Sequence, residues 1–240
     1  MYTQNKTQIF LLHFAGGSCH SYDFLRKYFD KNDYEFHALE LPGRGKRSNE
    51  QFVLDKEKAI QDYFNQLKTI RVKNQPYIVY GHSMGSTLGL SVVKRMEEIG
   101  DAPQVLIVTG NPGPGVSRRE KKHYLLDDLA FKEELRKLGG VPEEVLENQE
   151  LFDYFSPIMR ADFEVLEKDN FLEKGLVLDT PIYAMMGEKE ETVDKIKNWN
   201  RFTRNEFKFK IFPGNHFFIN DYPLDIARTI LNQSRKLVLG

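Results

Sequence analysis

Residues Tyr77 to Leu90 read YIVYGHSMGSTLGL. An apolar β-type run, YIVY, meets a serine flanked by glycines and gives way to an amphipathic pattern. After Ser83, Leu88, Val92, Met96 and Ile99 recur at helical spacing, and Gly100 stands where a C-terminal cap belongs. Gly81-His82-Ser83-Met84-Gly85 therefore fits G-x-S-x-G at a strand-to-helix turn. Small flanking residues there let the backbone approach closely, and the serine is presented above a helix N-terminus. The plainer reading of Ser83 is an ordinary helix N-cap. The rest of the chain decides between the two.

Working outward, short apolar runs alternate with helical patterns. The runs lie at 8–14, 35–39, 77–81, 105–110, 181–187 and 207–212. Most are continuous rather than alternating, as expected for strands of a parallel sheet covered on both faces. FKFKIF (207–212) alternates strictly, which suits a strand near an edge. The βαβ order predicts right-handed crossovers. From about 116 to 168 only helical pattern is found, with Pro142 and Pro157 reading as helix starts and Gly139-Gly140 as a stop. An insertion of this kind between strands is where lids and substrate pockets are built, or else it covers a sheet face.

Composition narrows the class. With 240 residues, 40% hydrophobic and 29% charged, the chain can bury a core and is not disordered by composition. A net charge of −1 gives no reason to expect nucleic acid or an anionic membrane. Cys19 is the single cysteine, so no intramolecular disulfide forms. The first residues lack a signal peptide's basic start and cleavage site, and no window spans a bilayer; a cytoplasmic soluble protein is expected.

A nucleophilic serine needs a base and an acid, which in this type of fold follow in the order Ser, acid, His. Of the six histidines only His123 and His216 follow Ser83. His123 sits in SRREKKHY and reads as a solvated surface residue, whereas His216 lies in FPGNHFF, directly after the last strand, where a base can hang over the serine. The loop after PIYAMMG offers Glu188, Glu190, Glu191 and Asp194 as acids, and residue chemistry does not choose among them. HFAGGS after the first strand can aim backbone N–H groups at the acyl carbon, half of an oxyanion hole. Arg44, in LPGRGKR (41–47), reads either as structural or as lining the entrance.

FAGGS, LPGRG, GHSMG, LGGVPEEVLENQEL and PIMRADFEVLE together resemble the type II thioesterases, free-standing α/β-hydrolases associated with nonribosomal peptide and polyketide synthetases. The resemblance runs from about Gln8 to the C-terminal helix. It implies a single α/β-hydrolase domain over 1–240: a mostly parallel sheet, helices on both faces, and a helical lid over the acyl pocket at about 116–168. It places the acid at Glu190, where the family usually has aspartate, and the oxyanion hole at the backbone N–H groups of Ala15 and Met84. It implies hydrolysis of acyl groups from the phosphopantetheine arm of carrier domains by a monomer, with no metal or cofactor of its own. Carrier domains are acidic, so Arg118, Arg119, Lys121, Lys122, Arg44, Lys46 and Arg47 are candidate contacts. A medium-chain fatty acyl thioesterase or small-ester esterase, and a non-catalytic carrier-binding protein, are the competing expectations.

Overall fold

In the computed structural model, which describes residues 6–116, 122–168 and 172–235, all six expected strands form. They are β1 (Thr7–Leu12), β2 (Tyr34–Leu39), β3 (Tyr77–His82), β4 (Leu106–Thr109), β5 (Ile182–Gly187) and β6 (Phe207–Phe212). Every pairing is parallel and the order is β2-β1-β3-β4-β5-β6. The continuous apolar runs have a simple cause: each strand feeds two cores. In β1, Phe10 and Leu12 join one cluster while Ile9 and Leu11 join the other; in β3, Val79 faces the first and Ile78 and Tyr80 the second. Successive side chains of a strand point to opposite faces, so a strand covered on both sides must be apolar throughout.

The first core is closed by α2 (Lys56–Ile70), α3 (Met84–Glu98) and a 3₁₀ run at Val193–Phe202, the second by α1 (Asp23–Arg26) and α8 (Pro223–Arg235). α3 is buried almost all round from Met84 to Val93, and Gly100, at φ +75°, follows its end. Ile99 falls just past the helix and is half exposed rather than part of the buried stripe. β6 sits at the sheet edge, as its alternation predicts, with Phe209 and Ile211 about half exposed.

Between β4 and β5 lie α4 (Asp128–Leu138), α5 (Glu143–Glu147) and α6 (Gln149–Glu167), with a small core of their own around Phe131, Phe152, Met159 and Phe163. Pro157 does not start a helix, contrary to the local rule; it lies inside α6. The buried positions Phe152, Ser156, Met159 and Phe163 continue one helical face straight through it. Packing along that face outweighs the single backbone hydrogen bond that proline forfeits. A further short helix, α7 (Phe218–Asp221), precedes α8. No described helix is long and apolar enough to cross a membrane.

Candidate active site

The elbow forms between β3 and α3. Ser83 takes φ +53° and ψ −110°, one of two described non-glycine residues at positive φ. Such a conformation costs on the order of 1–3 kcal/mol and persists only where its surroundings fix it. Here they do. Ser83 N–H donates to Thr109 O at 2.8 Å, and Ser86 Oγ lies 2.9 Å from both Gly81 O and Thr109 O while accepting Thr109 N–H at 3.0 Å. The two motif glycines are dictated by contact. A Cβ on Gly81 would lie 2.2 Å from Gly85 O, and one on Gly85 would lie 2.1 Å from Leu12 O. The pattern G-x-S-x-G is thus the footprint of α3 starting hard against the ends of β3 and β1.

His216 hangs on the loop between β6 and α7. That loop is tied to the end of β5: Glu188 N–H donates to Phe212 O (2.7 Å) and Lys189 N–H to Gly214 O (3.0 Å). His216 Nδ1 stands 2.8 Å from Glu190 Oε2. A carboxylate only accepts, so Nδ1 carries the proton and the Nε2 lone pair is left available. Glu190 Oε1 accepts the Gly187 N–H of its own turn at 2.8 Å. The methylene by which glutamate exceeds aspartate is absorbed by this curl: the side chain folds back over the 187–190 turn, and one oxygen serves the loop while the other serves the imidazole. Glu190 is 8% exposed and His216 19%. Of the other carboxylates in the loop, Glu188 and Glu191 are exposed, and Asp194 pairs with Lys195 at 2.6 Å.

His82 packs its ring on His216, centroids 4.9 Å apart. It is fully buried, with Nδ1 2.8 Å from Thr109 Oγ1, and burial, with the neighbouring His216 second, pushes its pKa well below the ordinary histidine value. It is therefore a neutral packing residue beneath the loop histidine. Among the described residues Ser83 Oγ makes no hydrogen bond, and the His216 ring reaches the elbow through His82. The backbone N–H groups of Ala15 and Met84 likewise have no partner among the described residues, and Ala15 lies three residues beyond Leu12, the end of β1 that Gly85 touches.

Two sequence expectations are corrected. His123 is 4% exposed, not solvated: its Nδ1 lies 2.5 Å from Glu167 Oε1, its Nε2 lies 3.5 Å from Glu134, and its ring stacks on Phe163. Arg44 is 2% exposed, so of its two readings the structural one holds, and it neither lines an entrance nor meets a partner. It forms a two-pronged ion pair with fully buried Asp162 of α6, Nη1 to Oδ2 at 2.5 Å and Nη2 to Oδ1 at 2.7 Å. The signal available in the sequence was a charged residue, Asp162, on the apolar face of α6. Its partner, 118 residues away, had no local signature.

Of the remaining candidate cations, Lys46 and Lys122 are exposed, and Arg47 is engaged by Glu50, Asp62 and the Glu40 carbonyl. Arg118, Arg119 and Lys121 lie outside the described residues. Among the described residues no group of three or more His, Cys, Asp or Glu side chains could hold a metal ion.

A family model described as thioesterase domain matches residues 7–233. The gramicidin S biosynthesis protein GrsT of Aneurinibacillus migulanus is 27% identical over 238 residues, covering 98% of this chain and 91% of that one. Among solved structures, ClbQ from the colibactin NRPS/PKS pathway matches with a TM-score of 0.88 at 27% identity, over 98% of this chain and 100% of that one. The type II thioesterase BorB from the borrelidin biosynthetic cluster matches with a TM-score of 0.86 at 28% identity, over 96% and 93%.

Proposed function

The chain belongs to the thioesterase domain family, and on that premise we propose that it is a type II thioesterase acting by a Ser83–His216–Glu190 triad. Its substrates are acyl groups held as thioesters on the phosphopantetheine arm of carrier domains in a nonribosomal peptide or polyketide system, and it clears short acyl groups that stall there. The observation that carries this reading is the Glu190–His216 hydrogen bond beside the strained Ser83 elbow, in a chain that matches the family model over residues 7–233.

His216 Nε2 takes the Ser83 hydroxyl proton as Oγ attacks the thioester carbonyl. Glu190 holds the tautomer and stabilises the imidazolium that forms. The tetrahedral oxyanion is received by the N–H groups of Ala15 and Met84, each worth on the order of 3 kcal/mol in such a site. The C–S bond then breaks, the thiol leaves with the proton from His216, and an acyl-Ser83 ester remains. His216 next activates a water that releases the acid and regenerates Ser83. The protein acts as a monomer with no metal or cofactor of its own, and α4–α6 serve as the lid over the acyl pocket. Lys46 and Lys122, with Arg118, Arg119 and Lys121, meet the acidic carrier.

The test is release of acetyl and longer acyl groups from loaded carrier protein, with acyl-pantetheine as the small control. Turnover by wild type that vanishes in Ser83→Ala is expected. Wild-type protein that releases no acyl group of any length would overturn the proposal. Charge reversal over 118–122 should raise KM for the acyl-carrier and leave acyl-pantetheine unchanged; equal effects on both would refute the docking assignment.

A further inference from the structure

Ala15 owes its place to a turn. Gly17 N–H donates to Phe14 O at 2.9 Å, and Gly16, third in the turn, has φ +79°. Ala15 has no positive φ, so Phe14–Gly17 is a type II turn. Types I and II differ by a half-rotation of the central peptide, here the one joining Ala15 to Gly16. An isolated turn interconverts between them, so something must choose the orientation.

Three contacts from outside the turn do so. Gly16 N–H donates to Asp162 Oδ2 at 2.8 Å. Arg44 Nη1, on the same carboxylate oxygen, also donates to Gly17 O at 3.3 Å. The side chain of Met159, one helical turn before Asp162, lies where a Gly16 Cβ would come within 2.7 Å of its Cγ. The central peptide is thus held from α6, with Arg44 fixing the orientation of the carboxylate. From the other side, His13 Nδ1–H donates to Phe14 O at 2.8 Å.

A buried ion pair of this kind is a poor way to gain stability, because desolvating both charges offsets most of their attraction. Apolar residues of similar volume would serve packing as well. What such residues could not do is fix a peptide plane. We infer that Asp162, braced by Arg44, is a positioning residue for the oxyanion hole: by holding Gly16 N–H it anchors the Phe14–Gly17 turn and so fixes the place of the adjoining backbone that carries the Ala15 N–H. The inference rests on the assignment of Ala15 to the oxyanion hole in the reaction proposed above. It adds a residue of α6 to the machinery and ties the placement of that helix to the competence of the site.

The decisive experiment compares Asp162→Asn, Asp162→Ala and the double variant Arg44→Met/Asp162→Leu with wild type. Measured are kcat and KM on acyl-pantetheine, Ki for a trifluoromethyl ketone that forms a hemiketal oxyanion on Ser83, and thermal midpoint. Asp162→Ala should lower kcat about 100-fold with KM little changed, the loss typical of a reacting group displaced by about 1 Å. The ketone Ki should rise in parallel. The single variants are expected to unfold at lower temperature, since each leaves Arg44 buried without its anion.

The double variant separates the two roles. It should regain stability, yet keep the low kcat and the weakened ketone binding. Recovery of kcat along with stability would overturn the inference and leave the pair a structural one. If wild type turned over no thioester, the proposed function would fail, and the amide resonances of Ala15 and Gly16 would still decide. A shift of both in folded Asp162→Asn or in the double variant supports anchoring of the turn by Asp162, and an unchanged Ala15 resonance refutes it.

Discussion

Glu190→Gln isolates the contribution of one proton's position. Glutamine keeps the length and the curl: its Oε1 can still accept the Gly187 N–H, now made at 2.8 Å. The atom facing His216 Nδ1, at 2.8 Å in the wild type, becomes an amide N–H₂. A donor there requires Nδ1 to be the lone-pair nitrogen, so the ring proton moves to Nε2, the atom that should receive the Ser83 proton. The imidazolium formed during attack also loses its counter-charge. With charge centres about 4 Å apart and an effective dielectric of about 20 for a partly buried pair, that attraction is about 4 kcal/mol. At 1.36 kcal/mol per decade, kcat should fall about 1,000-fold, with KM for acyl-pantetheine nearly unchanged because in the proposed mechanism Glu190 acts only through His216. The assay is thiol release under saturating acyl-pantetheine, with Ser83→Ala as the floor and circular dichroism to verify folding. A folded Glu190→Gln within tenfold of wild type would refute the reasoning and move the acid to another carboxylate.

Other expectations follow from single contacts. Gly85→Ala places a methyl carbon against the Leu12 carbonyl oxygen, a backbone atom that no rotamer change can relieve; more than about 4 kcal/mol of stability should be lost. Gly100→Ala, with nothing within 4 Å but φ +75°, should cost only about 1–2 kcal/mol, and thermal melts of the pair read the difference. Burial, with the Arg44 charge second, lowers the His13 pKa from 6.5 to about 4, so the folded state resists protonation that the unfolded chain accepts. Stability is therefore full above about pH 7 and falls as pH drops from 6.5 toward 4; by pH 5 the loss from His13 alone is about 2 kcal/mol. His82 is shifted in the same direction and adds to the slope. Urea unfolding across this pH range should show a shallower slope in His13→Asn.

The sheet was legible in the sequence because covered parallel strands must be apolar at every position, and the elbow because only glycine fits at Gly81 and Gly85. Ser83 and His216 were reached as candidates from motif and chain order. The candidate acid did not follow from residue chemistry: four carboxylates lie within seven residues of chain, and the curl of the 187–190 turn is what brings Glu190 to His216. Pro157 and His123 misled for a shared reason. Local rules read proline as a helix start and a basic neighbourhood as surface, while contacts distant in sequence decide both. Phe152 to Phe163 carry the helix through the proline, and Glu167 and Glu134 accompany His123 into the interior. LPGRG and PIMRADFEVLE are among the motifs that carry the family resemblance, but that Arg44 and Asp162 are one unit is visible only in three dimensions.

The edge strand β6 has a consequence for how the protein behaves in concentrated solution. Among the described residues it pairs only with β5, so its outer row of backbone donors and acceptors offers itself to a second chain, and Phe209 and Ile211 would make that pairing adhesive. The lysines at alternate positions guard against this. Lys208 is ion-paired with Glu206, and Lys210 lies over the Phe212 ring and 3.7 Å from Asp225. A chain adding to this edge would have to strip water from both ammonium groups and bring like charges together. The alternation of FKFKIF thus carries its own safeguard: the lysines set between the exposed apolar residues keep neighbouring molecules from extending the sheet into an aggregate.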